Sequence, residues 1–192
     1  CIGDGDGEIS FKMLKENYDA VYISIGAHTD KKLGLEGEDS KNVISAVDML
    51  REIGDGAYPD YTGKRVVVVG GGNVAMDCAR TAMRANAETV SIVYRRRQED
   101  MTALPAEVEG AIAEGIELVT LKAPLRVEAD AEGNACALWV QPQIIGPVKG
   151  GRPSPRKANK PEERMECDIV LVAIGQDIVS EPFADFGMAV NR

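Results

Sequence analysis

Three glycines and a run of arginines, a fixed distance apart, carry the chemistry open to this chain. Gly70, Gly72 and Ala75 give the pattern G-x-G-x-x-A directly after Val66 to Val69. Four β-branched residues in a row read as a strand buried on both faces of a parallel sheet, and a helical pattern begins at about Asn73. Strand, glycine turn and helix in that order form the context in which such a turn holds a dinucleotide diphosphate. Gly70 makes the tight turn, Gly72 lets the backbone approach the phosphates, and Ala75 keeps the helix close to the strand. The start of the helix offers unpaired amides and the positive end of its dipole to an anion. Taken alone, the pattern also fits a turn that merely joins a strand to a helix.

A second signal follows at the expected distance. Thr89 to Tyr94 reads as the next strand, and Arg95-Arg96-Arg97 comes straight after it. In an NAD site an acid roughly 20 residues beyond the glycines holds the ribose 2′-hydroxyl. Here Tyr94 and Arg95 take that place, and no acid occurs until Glu99. A carboxylate would repel a 2′-phosphate, whereas a guanidinium binds it through paired, charge-assisted hydrogen bonds. The pattern therefore points to NADP(H). A solvated basic surface run is the bland alternative. Against it stand the acidity of the chain as a whole and the position of the run.

The elements that must hold these residues can be read in order. Residues 1–18 give an acidic, glycine-rich lead and a short helix from Phe11 to Glu16. Asp19 to Ala27 has the pattern of a strand ending in Ile-Gly-Ala, and residues 28–42 form a polar loop. Ser45 caps a helix running to about Ile53, and Gly54 closes it. The small residues Ala75, Cys78, Ala79 and Ala82 form one stripe on the glycine helix, suited to close packing on a sheet. Pro105 opens a further helix that Gly115 ends, and Ile116 to Leu121 is a third strand. Residues 124–145 alternate about a turn at Glu132-Gly-Asn134, a β-hairpin rather than another βαβ unit. Residues 146–165, rich in Gly, Pro, Lys and Arg, read as a mobile loop. Asp168 to Gln176 gives a buried strand that again ends in Ile-Gly.

Composition narrows the functional classes. The chain has 192 residues, 44% hydrophobic and 28% charged, which is ample for a packed core. A net charge of −9 argues against a nucleic-acid partner, because only the one local cluster could neutralise phosphates. No apolar run approaches the length of a membrane span, and no signal peptide is visible. Cys1, Cys78, Cys136 and Cys167 form no C-x-x-C pair, so neither a dithiol nor a cysteine-ligated cluster is expected, and a reducing, cytoplasmic setting fits. No metal site and no His/Asp/Ser constellation is expected. His28, the single histidine, falls in a loop and reads as a surface residue, Asp77 suits the helix dipole, and Trp139 reads as core. The chain opens on Cys and closes on Val190-Asn-Arg192, as expected of a piece of a longer protein.

Residues 19–27 (DAVYISIGA), 64–80 (KRVVVVGGGNVAMDCAR), 94–118 (YRRRQEDMTALPAEVEGAIAEGIEL) and 168–176 (DIVLVAIGQ) resemble the pyridine-nucleotide part of the glutamate synthase small (β) subunit group. Dihydropyrimidine dehydrogenase and adrenodoxin reductase are more distant relatives with the same arrangement. The resemblance implies an α/β fold with a Rossmann-like parallel sheet and a β-hairpin or meander insertion, in a flavoprotein with two dinucleotide-binding domains. It implies that residues 1–62 and 177–192 are inner margins of a split FAD domain. Residues 63–176 would form the NADP(H) domain, with its meander at 124–145. Carried over by motif, Gly71, Gly72, Asn73 and Val74 fall at the pyrophosphate beside Gly70, and Arg95 and Arg96 at the 2′-phosphate. Ala173, Ile174 and Gly175 fall near the nicotinamide. Where relatives often have Met-Pro-Ala, this chain has Met101-Thr-Ala-Leu-Pro-Ala106, a departure in the loop after the arginines.

The resemblance further implies NADPH as substrate, FAD in the full-length protein, and iron–sulfur clusters or a large subunit as the next acceptor. Hydride transfer between nicotinamide and flavin requires no protein acid or base at the hydride, so no catalytic side chain is assigned. Two other readings compete. A self-contained short dehydrogenase would need a Tyr-x-x-x-Lys pair or a similar proton donor, and none follows the glycine turn. A non-catalytic NADP sensor or interaction module would use the same turn.

Overall fold

The computed structural model describes residues 7–189; Cys1 and the acidic lead to Asp6, like Val190 to Arg192, lie outside them. The chain divides into two compact units. One comprises residues up to Thr29 with those from Asp177 onward, and the other is Asp30–Gln176. The changes of unit at 29/30 and 176/177 fall within three residues of Gly26 and of Gly175. The boundary expected at 62/63 instead lies inside the larger unit, because residues 43–54 supply that unit with a strand and a helix.

The elements of the smaller unit are α1 (Phe11–Asn17) and α5 (Glu181–Asp185). The Ser10 hydroxyl caps α1 by accepting from the Met13 amide (3.1 Å), and buried Phe11 stacks on Phe186 with centroids 5.2 Å apart. The strand expected over residues 19–27 is not formed: the segment carries no ladder, and Val21, Tyr22 and Ile25 are exposed. An alternating pattern makes a strand only where a neighbour pairs with its backbone, and no described residue does so here. His28 is exposed, as the sequence indicates.

In the larger unit, after the two-residue crossing strand β1 (Thr29–Asp30), come β2 (Val43–Ser45), α2 (Ala46–Gly54), β3 (Arg65–Val69), α3 (Asn73–Arg84) and β4 (Thr89–Tyr94). Then follow α4 (Pro105–Ala113), β5 (Glu117–Thr120), β6 (Lys122–Ala129), β7 (Ala135–Lys149), β8 (Arg152–Lys157), β9 (Glu163–Glu166), β10 (Ile169–Val172) and the second crossing, β11 (Gln176–Asp177). Five strands form a parallel sheet in the order β2-β10-β3-β4-β5. The valine run of β3 is at its centre, buried on both faces as its β-branched sequence dictates.

The two faces of β3 pack on different layers. Val66 and Val68 point with Ile92 and Leu171 toward α2, α3 and α4, where Ala75, Cys78, Ala79 and Ala82 are fully buried. Val67 and Val69 point with Val93 and Val172 toward Val127, Leu138 and Val140 of a second, antiparallel sheet. Helices thus cover one face of the parallel sheet and a meander covers the other.

That second layer departs from expectation in two ways. Residues 146–165 are not a loop. β8 and β9 both pair antiparallel with β7, and Gly150 and Gly151, with φ of +57° and +78°, make the turn into β8. Pro153 and Pro155 are tolerated because β8 is an edge strand, where a missing amide costs no ladder bond. Trp139 is not core. It is half-buried, its indole Nε1 donates to Glu128 Oε2 (2.7 Å), and the Arg126 guanidinium lies 4.3 Å above its ring.

Arg65 and Asp168 lock β3 to β10 at the end of the sheet opposite the glycine turn. Asp168 accepts from the Arg65 amide (2.8 Å) and Nε (3.0 Å), and these bonds hold its carboxyl below the ordinary aspartate range. A carboxyl with a lowered folded pKa stabilises the protein above its unfolded value, near ~4, and that contribution disappears as the pH falls through the lowered value. Asp168→Asn is therefore expected to cost about 1–2 kcal/mol at pH 7 and progressively less as the pH falls below about 4, measured by urea unfolding. A loss that does not change with pH would contradict the assignment.

Candidate functional site

The carboxyl ends of β3, β4 and β10 open into one cleft of about 530 Å3. It lies beyond the carboxyl ends of these parallel strands, the side on which open α/β sheets hold ligands. Gly70, Gly71, Gly72, Asn73, Val74, Arg95, Arg96, Ala173, Ile174 and Gly175 all line it. The sequence separates these residues by up to 105 positions, and the sheet order alone brings them together.

Each glycine has its own reason. The Gly70 amide donates to the Val93 carbonyl (3.1 Å), and its φ of +154° disfavours side chains. A Cβ there would lie 2.2 Å from the Ala173 carbonyl oxygen. At Gly71 a Cβ would lie 2.5 Å from the Tyr94 ring, so a position the motif leaves open is closed by packing. Gly72 differs from both. A Cβ on it meets only Thr102 Oγ1 at 3.4 Å, and its backbone is extended, so nothing inside the protein demands glycine there. Its exposed edge is on the cleft. Beyond it, the amides of Asn73 and Val74 are in the first turn of α3, where no preceding carbonyl is available to them.

The departure at residues 101–106 has a structural role. The Gly71 carbonyl accepts from the Thr102 (2.9 Å) and Ala103 (3.1 Å) amides, and Asn73 Oδ1 accepts from the Leu104 amide (2.9 Å) at the start of α4. The loop clamps the glycine turn from outside. Asp77 lies a full turn into α3 and is exposed, beyond the first turn where dipole stabilisation is felt.

The three consecutive arginines do three different things. Arg97 is spent on Asp100 (Nε to Oδ2, 2.9 Å) and Glu99, and the bonds from Arg97 to Asp100, with a smaller contribution from the charge of Arg152, hold the Asp100 carboxyl below its ordinary range. Arg97 does not line the cleft. Arg96 lines it while its Nε donates to the Pro153 carbonyl (2.8 Å). Arg95 is exposed on the cleft and, among the described residues, has no hydrogen bond or ion pair. No carboxylate lines the cleft beside them. The opening charge run is thus one neutralised arginine and two cations available to an anion.

Sequence reasoning missed Thr102 and Arg152 as cleft residues. It also missed Leu33 and Leu35, apolar positions alternating within a loop taken as polar, where the Glu38 carboxylate accepts from the Leu33 and Gly34 amides. The buried Cys78 and Cys167 thiols are both pushed up to about 12 by burial, which makes them inert packing groups rather than nucleophiles. Among the described residues no cluster of His, Cys, Asp and Glu could hold a metal ion, and no helix is long and apolar enough to cross a membrane.

A parallel sheet with a glycine turn at the carboxyl end of its central strand, helices on one face and a β-meander on the other, defines an α/β dinucleotide-fold domain. Residues 6–192 match the family model for pyridine nucleotide-disulphide oxidoreductases, and the chain belongs to that family of oxidoreductases. It is 41% identical over 174 residues to the β subunit of NADPH-Fe(3+) oxidoreductase from Geobacter sulfurreducens, covering 88% of this chain and 26% of that one. It is 32% identical over 179 residues to the glutamate synthase (NADPH) small chain of Escherichia coli, covering 88% and 38%. Mycobacterium tuberculosis FprA in complex with NADPH shares the fold, with a TM-score of 0.72 at 20% identity, over 88% of this chain and 52% of that one. The resemblance to the glutamate synthase small subunit group is borne out. The chain spans well under half the length of these curated relatives.

Proposed function

We propose that the cleft binds NADP(H) and that the whole protein is a flavin-dependent oxidoreductase of which residues 30–176 are the nucleotide domain. In this reading the diphosphate rests on the Gly71–Val74 amides, the adenosine 2′-phosphate meets Arg95 and Arg96, and the nicotinamide end lies beside Ala173, Ile174 and Gly175. The observation that carries it is the pair of cations without a carboxylate partner, in the same cleft as a glycine turn that side chains would obstruct. Two relatives whose names include NADPH support it.

The fit is physical. Amides at a helix start and guanidinium groups in a half-enclosed cleft match a polyanion, and an acid in place of Arg95 would not. When bound, NADPH supplies a hydride. The chain's own residues bind the phosphates, orient the dinucleotide along the carboxyl ends of β3, β4 and β10, and exclude water from its inner edge with Leu33, Leu35 and Pro124. Flavin, held by segments that include residues 1–29 and 177–192, would accept the hydride, and iron–sulfur centres or a partner subunit would accept the electrons.

Titration of the full chain tests the nucleotide assignment. NADPH is expected to bind at least about tenfold more tightly than NADH, reflecting one or more charge-assisted contacts to the 2′-phosphate. Equal affinities would overturn it. The flavin assignment is tested by colour: the protein with its flanking segments is expected to purify yellow, with a flavin absorption that NADPH bleaches in the absence of oxygen. A colourless protein that binds NADPH would favour a sensor.

A further inference from the structure

The arginines of this acidic chain are distributed unevenly between partners. Away from the cleft, Arg51, Arg65, Arg80, Arg84, Arg126 and Arg164 each hold a carboxylate, and of the described arginines there only Arg156 does not. Around the cleft, Arg97 is neutralised, while Arg95, Arg96 and Arg152 have no ion pair. Arg152 is the one that no motif announces. It begins β8, directly after the Gly150-Gly151 turn, and reaches the cleft from the second sheet.

Its guanidinium is half used. Nη2 donates to Tyr94 Oη (2.8 Å) and to the Asp100 carbonyl, which aims the group at the segment bearing Arg95 and Arg96. Nε and Nη1 make no hydrogen bond among the described residues. Arg96 Nε donates to the Pro153 carbonyl, one residue along, so strand and loop hold each other in register. The Asp100 carboxylate feels the charge of Arg152, but it is bonded to Arg97 and forms no salt bridge with Arg152, which leaves the half-buried guanidinium open to an anion. Burial in a cleft, fixed aim and two unused donor positions together indicate a binding group rather than a strut.

We infer that Arg152 is a third phosphate-reading residue, contributed by the β7–β8 hairpin, and that it engages the 2′-phosphate of NADP(H) opposite Arg95. This rests on the reading of the cleft as an NADP(H) site. Specificity for the phosphorylated nucleotide would then depend on two sheets being docked, and the meander would be part of the site as well as a cover for the core.

The test uses the full chain with adenosine 2′,5′-bisphosphate and adenosine 5′-monophosphate, which differ only in the 2′-phosphate. Arg152→Gln is expected to weaken the bisphosphate roughly tenfold and the monophosphate by less than about twofold. Arg152→Lys, which keeps the cation but loses the forked anchor, is expected to give a smaller loss, again confined to the bisphosphate. It also serves should the glutamine variant not fold. Equal weakening of both ligands would mean that Arg152 only props Tyr94, and no weakening of either would remove it from the site. Both results overturn the inference. If the unmodified protein binds the two ligands equally, the NADP(H) reading itself has failed, and Arg152 fails with it.

Discussion

Gly72→Ala should leave the thermal stability of the protein nearly unchanged and weaken NADPH by at least about tenfold. The reason is the contrast among the three glycines. A Cβ on Gly72 meets only Thr102 Oγ1, at an ordinary 3.4 Å, and the backbone there is extended. The same Cβ at Gly70 or Gly71 would strike the Ala173 carbonyl at 2.2 Å or the Tyr94 ring at 2.5 Å. Those variants are expected to lose about 1–3 kcal/mol of stability through overpacking, so any loss of binding would be confounded with misfolding. Gly72 separates the two effects. Its missing side chain is needed only if something outside the chain comes close to the backbone, as a diphosphate must. Calorimetric titration beside thermal unfolding of the three alanine variants checks this. Full NADPH affinity in Gly72→Ala would place the diphosphate elsewhere.

Arg95→Ala should remove most of the preference for NADPH over NADH while leaving NADH affinity within about twofold of the original. A guanidinium–phosphate contact contributes about 1.5–3 kcal/mol, or roughly ten- to a hundredfold in affinity, and a nucleotide without the 2′-phosphate never makes it. Adding Arg96→Ala should lower NADPH further. Its effect will include loosening of the β8 strand, because Arg96 also holds the Pro153 carbonyl. Arg97→Ala is the internal control. That side chain is committed to Asp100 and Glu99 and stays off the cleft, so it should change stability slightly and selectivity not at all. A loss of selectivity in Arg97→Ala comparable with that in Arg95→Ala would mean the three arginines act as a diffuse charge rather than as placed groups.

The parts of the site built on local pattern were legible in the sequence. The valine run of β3, the small-residue stripe of α3 and the strand before the arginines follow from periodicity, and the structure reproduces all three within a residue or two. What escaped depends on partners distant in the chain. β8 contains two prolines and reads as loop; it is a strand because an edge position asks nothing of their missing amides. Residues 19–27 read as a strand and are not one, because among the described residues nothing pairs with them. Arg152 reaches Tyr94 across 58 positions only because β7 and β8 fold over the parallel sheet, and no spacing rule anticipates that. The diversion of Arg97 is different, since its i,i+3 spacing to Asp100 stands in the sequence and could have separated it from its neighbours.

A crystal structure of the chain with NADP+ bound tests the central claim most directly. The diphosphate oxygens should lie within hydrogen-bond distance, about 2.7–3.1 Å, of the Asn73 or Val74 amides, with the 2′-phosphate against the Arg95 guanidinium. A dinucleotide bound outside this cleft, or inside it with the 2′-phosphate turned away from Arg95 toward solvent, would contradict the account.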